Sequence, residues 1–206
     1  MTESIRRQGE WERRYQDGKT GWDRGEPNPA LEHWLAAGAV PQGRVLVPGC
    51  GHGYEIAELI RAGCQVTAVD IAAQPVQRLR GELSGLGLKA SVIQADLLQW
   101  QPEGAFDAIY EQTCLCAIDP SHWPEYEHRL ADWLVPGGRL LALFMQTGQA
   151  GGPPFNCALP DMRSLFTETR WEWPDDQPLR VSHPSGLVEE GYLITRGPAG
   201  AADAGL

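Results

Sequence analysis

The sequence predicts an α/β fold, a doubly wound and mostly parallel sheet with helices on both faces. From residue 44 onward, segments typical of strands alternate with segments typical of helices. An apolar run at 45–47 leads into a glycine-rich turn at 49–53 and then into a helical pattern. Asp70 ends the next apolar run, twenty-one residues after Gly49. This order is typical of the first unit of a nucleotide-binding sheet.

Local patterns place each element in turn. Short apolar runs predict strands at residues 44–47, 65–70, 90–94, 106–111, 139–145, 169–173 and 188–195. Helical periodicity predicts helices at residues 54–62, 75–83, 124–134 and 160–167. Pro124 suits a first helical turn, and the Pro-Gly-Gly at 136–138 predicts the turn before the fifth strand. The Gly- and Ala-rich residues 197–206 are expected to be disordered, so that residues 1–196 form a single domain.

Three aromatic residues, Trp11, Tyr15 and Trp22, precede the first strand at spacings of four and seven residues. One interpretation is a helix that packs an aromatic stripe on the edge of the sheet. The Gly- and Pro-rich stretches at 17–21 and 25–29 favour another, one short helix followed by a loop-rich segment. We therefore predict that residues 1–30 form an N-terminal arm that closes over a ligand as a lid.

Composition argues against several classes of function. The formal charge of −10, with no lysine or arginine cluster beyond the pairs at 6–7 and 13–14, disfavours nucleic acids and anionic membranes as partners. No apolar run approaches the length of a membrane span, and the first residues do not resemble a signal peptide. The five cysteines include no C-x-x-C pair, which favours reduced thiols and a cytoplasmic location over zinc or disulfides.

The glycine loop indicates which nucleoside cofactor binds. Gly49 and Gly51 allow a sharp turn and a close approach of the backbone to a ligand, and the following helix N-terminus favours an anion. Asp70 is placed to accept hydrogen bonds from ribose hydroxyls. Tyr54 stands where the dinucleotide fingerprint has its third glycine, which argues against NAD and FAD. A ligand with one carboxylate and no pyrophosphate fits better, and S-adenosylmethionine (SAM) is such a ligand.

Several motifs carry a resemblance to a known family. Beside Asp70, they read Trp11-x3-Tyr15-x3-Lys19-Thr20-Gly21-Trp22-Asp23, Val47-Pro48-Gly49-Cys50-Gly51, Cys116-Ala117-Ile118-Asp119-Pro120 and Gly151-Gly152-Pro153-Pro154-Phe155. From residue 11 to about 196, the chain resembles the thiopurine/thiol/halide methyltransferase family. The resemblance implies a class I SAM-dependent methyltransferase fold. It further implies a Rossmann-like, seven-stranded mixed sheet whose last two strands form an antiparallel hairpin, and an arm over the cofactor.

The resemblance also implies cofactor contacts. The family positions fall on Trp11, Tyr15, Trp22, Gly49, Asp70, Asp96, Leu97 and Gln112, to which the loop pattern adds Gly51. Asp96 has two interpretations, an acceptor for the adenine amine or a plain turn or helix cap. Gln112 departs from the family, because thiopurine-methylating relatives carry arginine there and plant halide/thiol relatives carry tyrosine. The identity of the acceptor therefore stays open.

We expect the acceptor to contact an apolar, polarisable wall formed by Trp22, Cys114, Cys116 and Phe155, with Trp11 nearby and Pro153-Pro154 at the rim. The two cysteines are interpreted as pocket lining, and no metal site is expected. No catalytic residue is assigned, because a thiol is partly ionised near neutral pH without a dedicated base. His52 is expected to face solvent from the glycine loop, and His183 to lie on the surface.

Together these observations predict a SAM-dependent S-methyltransferase that moves a methyl group to a small thiol or related soft nucleophile. Alternative acceptors are halide, thiocyanate, a tellurite-type oxyanion or a thiopurine. A SAM-binding regulatory module without turnover and an NAD-dependent reductase remain as other classes. A small-molecule acceptor, no nucleic acid, no membrane and a monomeric state are expected.

Overall fold

The computed structural model describes residues 2–198 and contains six helices and eight strands. The helices are α1 Glu3–Gln16, α2 Pro29–Ala36, α3 Tyr54–Arg61, α4 Ala73–Gly85, α5 Trp123–Trp133 and α6 Leu159–Leu165. The strands are β1 Arg44–Pro48, β2 Gln65–Asp70, β3 Ser91–Gln94, β4 Phe106–Gln112, β5 Leu134–Gln146, β6 Trp171–Glu172, β7 Leu179–Ser182 and β8 Val188–Arg196. Two short 3₁₀ turns, Leu115–Ala117 and Pro120–His122, separate β4 from α5.

The strands form one sheet in the order β3-β2-β1-β4-β5-β8-β6. Strands β1 to β5 pair in parallel, and residues 188–195 of β8 run antiparallel to residues 139–146 of β5. Both β6 and β7 pair antiparallel with β8, β6 at its end and β7 at its start. Eight strands therefore occupy seven positions, and the predicted doubly wound α/β sheet is confirmed.

The strand order reverses beside β1, which lies between β2 and β4. The chain proceeds from β1 outward to β3 and then returns to β4 on the other side. In open α/β sheets, such a switch point leaves a crevice at the carboxyl ends of the strands, where ligands bind. The fold thus places a crevice directly above the glycine loop that follows β1.

Both faces of the sheet are covered, because successive residues of a strand point to opposite sides. Val45 and Val47 belong to an apolar cluster with residues of α2, α3 and α4. Leu46, between them, belongs to a second cluster with residues of α5 and α6. All three side chains are at most 5 % exposed. This double coverage explains why β1 reads as a continuous apolar run.

Residues 17–28 form the predicted loop-rich segment after α1, but the helix α2 at residues 29–36 was not predicted. Asn28 caps it by accepting a hydrogen bond from the backbone N–H of Ala30, and Pro29 occupies its first turn. Both residue types are helix-start signals as well as loop formers. Leu31 and Trp34 are 1 % and 5 % exposed, so α2 is part of the core.

Two further elements differ from the prediction. Strand β7 was not predicted. The turn predicted at 136–138 is an irregular part of β5, which begins at Leu134 directly after α5. A register shift in the pairing of β4 with β5, between Phe106 and Ala108, accommodates these residues.

The structure describes the first two residues, 197 and 198, of the tail predicted to be disordered. Of the tail predicted to be disordered, residues 199–206 lie outside the described residues. Gly197 is held by its N–H, which donates to the carbonyl of Arg170 over 2.8 Å. No helix within residues 2–198 combines the length and the apolar character that crossing a bilayer demands.

Candidate functional site

A cavity of about 690 Å³ lies over the carboxyl ends of the central strands, beneath α1. Its volume is in the range typical of small-molecule sites. Most of the residues predicted to bind cofactor or acceptor line it, namely Trp11, Tyr15, Trp22, Gly49, Asp70, Asp96, Leu97, Cys114, Cys116 and Phe155. Gly51 and Gln112 border an adjoining pocket of about 50 Å³ instead. The structure therefore gathers all the predicted site residues around two neighbouring spaces.

The glycine loop packs tightly against the end of β4. Gly49 has a φ of +57°, which strains any residue with a side chain. A Cβ built on Gly49 would lie 2.8 Å from the Sγ atom of Cys114. Only glycine fits at this position without displacing Cys114.

Asp70 joins the loop to the end of β2. One carboxylate oxygen accepts from the N–H of Gly51 over 2.9 Å, and the other accepts from the N–H of Ala72 over 2.8 Å. Burial is the main reason why the pKa of Asp70 rises to about 6, against the opposing effect of these two donors. Each oxygen keeps a second lone pair, so the carboxylate can also accept from ligand hydroxyls in the cavity that it lines.

Both carboxylate oxygens of Asp96 accept hydrogen bonds within the protein. Its Oδ2 accepts from Nη2 of Arg7 over 2.7 Å, and its Oδ1 accepts from the N–H of Leu98 over 3.1 Å. Burial alone would raise the pKa of Asp96, but hydrogen bonds from Ser4, Arg7 and Leu98 bring it below its usual value. Oδ1 of Asp96 therefore caps a turn, as one of the two interpretations predicted. The contact of Asp96 with the adenine amine stays a prediction.

The three aromatic side chains of the arm pack on one another at the cavity. The rings of Trp11 and Tyr15 each meet Trp22 edge-on, with centroids 5.4 and 5.5 Å apart. All three residues line the cavity. The arm therefore contributes aromatic surface to the site and does not lie on the edge of the sheet.

Polar contacts of Glu3, Arg7 and Glu12 hold α1 across the cavity, and Oε1 of Glu3 lies 3.0 Å from Nε2 of His122. Arg7 pairs with Asp96, as described above. Glu12 accepts from the N–H groups of Ala73 and Gln74 over 2.7 and 3.2 Å, at the start of α4. Helix α4 has no side-chain cap from its own N-cap residue, Ala72, so Glu12 satisfies N–H groups that would otherwise lack partners. That this segment opens and closes as a lid stays a prediction.

Two histidines are less exposed than predicted. The His52 side chain is 12 % exposed, and its Nδ1 lies 2.6 Å from Oδ2 of Asp23. His183 is 5 % exposed and lies 2.6 Å from the hydroxyl of Ser185. The prediction that both face solvent was wrong. The Asp23 contact spans 29 residues of sequence, and no local pattern could indicate it.

The expected acceptor wall is assembled from segments distant in sequence. Cys114 and Cys116 follow β4, and Phe155 donates its backbone N–H to the carbonyl of Cys116 over 2.7 Å. Burial raises the pKa of both thiols well above the usual value, so they stay neutral. Met145 also lines this end of the cavity. Within residues 2–198, no group of three or more metal-ligating side chains is arranged around a common point.

A buried polar cluster that was not predicted from the sequence lies beside the smaller pocket. Glu189 on β8 is fully buried and accepts from Nδ2 of Asn28 over 2.8 Å. Arg24 lies 3.9 Å from the same carboxylate. The alternation of side chains along β8 could have indicated that Glu189 points inward. Glu189 shares a face of the strand with Gly191 and Leu193, which pack towards the core.

The geometry of the site defines a class of protein. The sheet is doubly wound, a glycine loop follows β1, and a buried acid ends β2. The cavity above the loop and the acid fits S-adenosylmethionine, with its adenosyl and amino-acid ends. This is the arrangement of a class I SAM-dependent methyltransferase.

Comparison with known proteins gives the family. The family model described as thiopurine S-methyltransferase (TPMT) matches residues 6–177, and the chain belongs to this family. The protein is therefore a SAM-dependent methyltransferase that acts on a small molecule, and the resemblance noted in the sequence is confirmed.

Curated relatives share about a third of the aligned residues. The probable thiol methyltransferase 2 of Arabidopsis thaliana is 32% identical over 167 residues, 80% of this chain and 74% of the relative. Thiocyanate methyltransferase 1 of Brassica oleracea is 32% identical over 156 residues, 74% of this chain and 69% of the relative. The thiopurine S-methyltransferase of Pseudomonas putida (strain GB-1) is 30% identical over 167 residues, 71% of this chain and 76% of the relative.

A solved structure shares the fold. The 1,6-didemethyltoxoflavin-N1-methyltransferase of Burkholderia thailandensis, solved with S-adenosylhomocysteine bound, superposes with a TM-score of 0.75. The superposition covers 92% of this chain and 87% of that one at 22% sequence identity, so the likeness concerns the fold alone.

Proposed function

We propose that the protein transfers a methyl group from S-adenosylmethionine to the sulfur of small thiols or to a related soft nucleophile. The observation that carries the proposal is the composition of the acceptor wall. Cys114, Cys116, Met145 and Phe155 border one end of the cavity with sulfur and aromatic surface. Such a wall is polarisable and apolar, which suits a soft atom better than a phosphate or a sugar. The names of the thiol and thiocyanate methyltransferase relatives point the same way.

The chain contributes alignment and exclusion of water. When bound, the cofactor supplies a methyl group that is already activated towards a nucleophile. Trp11, Tyr15 and Trp22 close one side of the cavity, and the buried wall closes the other. Holding two reactants aligned in such a space can lower a barrier by about 7–11 kcal/mol. Positioning therefore accounts for much of the expected rate enhancement.

No side chain is needed as a general base. A thiol with a pKa near 8.5 is ionised by roughly a few per cent at neutral pH, and the thiolate is the reactive form. The wall thiols do not compete for the methyl group, because burial raises the pKa of Cys114 and Cys116 and keeps them protonated. We assign no catalytic residue.

The proposed contacts are those predicted from the sequence. For the cofactor they are Trp11, Tyr15, Trp22, Gly49, Gly51, Asp70, Asp96, Leu97 and Gln112, and for the acceptor Trp22, Cys114, Cys116 and Phe155. The convergence of these side chains on two adjoining spaces supports the assignment. We further propose that residues 1–30 include a lid, which the Arg7–Asp96 and Glu12–Ala73 contacts hold closed.

A monomer in the cytoplasm, without nucleic-acid or membrane partners, completes the proposal. The formal charge of −10 supports the absence of polyanionic partners. All five cysteines are buried free thiols, as suits a reducing compartment. Within the described residues, Ile5 and Leu86 are the large apolar side chains that are exposed, and they offer no continuous patch.

An acceptor screen tests the proposed activity. The protein is incubated with S-adenosylmethionine and a panel of thiols, a selenol, halides, thiocyanate, tellurite and thiopurines, and S-adenosylhomocysteine is measured. We expect turnover with thiols that rises as the pH approaches the pKa of the thiol. Tight cofactor binding without product from any acceptor would favour the regulatory module instead.

A further inference from the structure

The pocket of about 50 Å³ adjoins the main cavity, because Trp22, Gly49 and Thr113 border both. The glycine loop, the carboxyl end of β4 and residues 23–26 of the arm form its other walls. About 10–15 Å³ of such volume suffices for one water molecule, so the pocket has room for a group of a few heavy atoms. The pocket is therefore too small for a base or a ribose and suits a compact polar group.

Arg24 is the cationic side chain of this pocket, whose lining also includes Asp23, Glu26 and Glu55. Among the described residues that line the pocket, Arg24 is the single lysine or arginine. Its side chain is 11 % exposed, and one guanidinium nitrogen, Nη1, donates to the carbonyl of Ser182 over 2.8 Å. The Nε atom is buried and has no hydrogen-bond partner. A buried N–H without an acceptor costs free energy, and Oε1 of the paired Glu189 is buried without a partner as well. The guanidinium beside the pocket therefore has unused capacity to bind an anionic oxygen.

Three carboxylates near Arg24, those of Glu189, Asp23 and Glu55, have hydrogen-bond partners other than Arg24. Glu189 lies 3.9 Å from Arg24, beyond hydrogen-bonding distance, and accepts from Asn28. Burial is the main reason why the pKa of Glu189 rises to about 7, so it carries only part of a charge at neutral pH. Asp23 pairs with His52, and Glu55 accepts from the N–H of Asn28 over 3.0 Å. Glu189 is therefore the nearest counterion, in an ion pair of 3.9 Å, but it accepts no hydrogen bond from the guanidinium and its Oε1 is buried without a partner.

We propose that Arg24 binds the α-carboxylate at the methionine end of S-adenosylmethionine. The cofactor carries one carboxylate, at the end opposite its adenine. Asp70 and Asp96 line the main cavity, where their carboxylates suit the hydroxyls and amine of the nucleoside. The guanidinium of Arg24 lines the smaller pocket and suits the carboxylate. The planar donors of arginine match a carboxylate geometrically as well as electrostatically. The proposal depends on the cofactor and not on the acceptor, so the two can fail independently.

Binding measurements with two ligands test this assignment without turnover. Calorimetry compares S-adenosylhomocysteine with 5′-deoxy-5′-methylthioadenosine, which lacks the amino-acid end, on the full chain. The variants are Arg24→Gln, Arg24→Lys and, as a matched control, Arg13→Gln, which removes an exposed charge that lines neither pocket. Arg24→Gln should weaken S-adenosylhomocysteine binding about 10- to 100-fold while changing the truncated ligand by less than about twofold. The affinity of Arg24→Lys for S-adenosylhomocysteine should lie between those of Arg24→Gln and the wild type. The affinity of Arg13→Gln should match that of the wild type.

Two results would overturn the assignment. One is unchanged S-adenosylhomocysteine affinity in Arg24→Gln, and the other is an equal loss for both ligands, which indicates a structural role. If Arg24→Gln lacks a cooperative thermal transition, the proposal is tested on the wild-type protein with a second pair of ligands. S-adenosylhomocysteine is then compared with its decarboxylated analogue, S-adenosyl-3-thiopropylamine. Equal affinity for the two ligands refutes the proposal, and weaker binding of the analogue by about tenfold or more supports it.

Discussion

Asp70 combines two tasks in one carboxylate, since it fastens the glycine loop through Gly51 and faces the cavity. We expect Asp70→Ala to weaken S-adenosylhomocysteine binding by about 1.5–3 kcal/mol, the usual value of hydrogen bonds to a charged acceptor. Isothermal calorimetry measures the loss. Asp70→Asn serves as the matched variant, because it keeps one acceptor oxygen and should lose less. Affinity that stays at the wild-type level in Asp70→Ala would exclude the ribose contact.

Glu111 is a buried acid whose second oxygen has no partner. Its Oε1 accepts from the N–H of Leu115 over 2.6 Å, whereas Oε2 is buried without a hydrogen bond. Burial is the main reason why its pKa rises to about 8. The folded state therefore holds this proton more tightly than the unfolded state, and its contribution to stability is complete below about pH 4.5 and is lost as the pH rises through 8.

The variant Glu111→Gln should flatten this dependence. We expect the free energy of unfolding of the wild type to fall between pH 5 and pH 9, and that of Glu111→Gln to fall less. Urea unfolding at several pH values measures both. Glu58→Gln, on an exposed face of α3, is the control and should follow the wild type. Parallel curves for wild type and Glu111→Gln would contradict the prediction.

At the scale of elements, α1 is tied to the rest of the site mainly by Arg7 and Glu12. Removal of residues 1–22 should leave a cooperatively folding core, because α2 and the sheet keep their packing. Methyl transfer should fall about a hundredfold or more, since misplaced reactants lose the advantage of alignment. Circular dichroism follows folding, and S-adenosylhomocysteine release follows activity.

A single substitution distinguishes the closure of α1 over the cavity from the aromatic contacts that α1 makes. Glu12→Ala keeps the aromatic side chains but frees the start of α4, and should reduce stability by about 0.5–2 kcal/mol, as for the loss of a helix cap. Its KM for S-adenosylmethionine should rise. If the truncated protein retains full turnover, residues 1–22 do not act as a lid.

The sequence predicted those elements whose patterns are local. Strands β1 to β4 and the glycine loop follow from apolar runs and glycine spacing, and each lies within a few residues of its predicted bounds. Helix α2 was missed because Asn28 and Pro29 signal both a loop and a helix start. Strand β7 is a short edge strand with few apolar residues, and its position depends on pairing with β8. Pairing between distant segments leaves little trace in a single sequence.

The same limit applies to the site. Residues that match a motif, such as Gly49, were found in the sequence. Arg24 and Glu189 were not, because their proximity arises only when the arm meets the far end of the sheet, 165 residues later in the chain. His52 was misjudged for the same reason. The charges that surround the smaller pocket are a property of the fold rather than of any segment.

At the scale of the whole molecule, charge and surface predict a monomer. The formal charge of −10 opposes self-association, and the described surface offers no apolar patch for a partner copy. Sedimentation at micromolar concentration should give the mass of one chain. High salt, which screens the repulsion, should leave that mass unchanged. A dimer at either salt concentration would contradict the prediction.

The outer strands of the sheet have a consequence for solubility. Strand β3, at one side, spans Ser91–Gln94, and the Val92 carbonyl already accepts from Nε and Nη2 of Arg80 over 3.1 and 2.6 Å. At the other side, β6 and β7 divide the border into two short pieces. An intruding chain finds neither a long row of vacant peptide groups nor a flat template. Short outer strands of this kind disfavour strand addition, a route from a folded sheet to an insoluble fibre, at both ends.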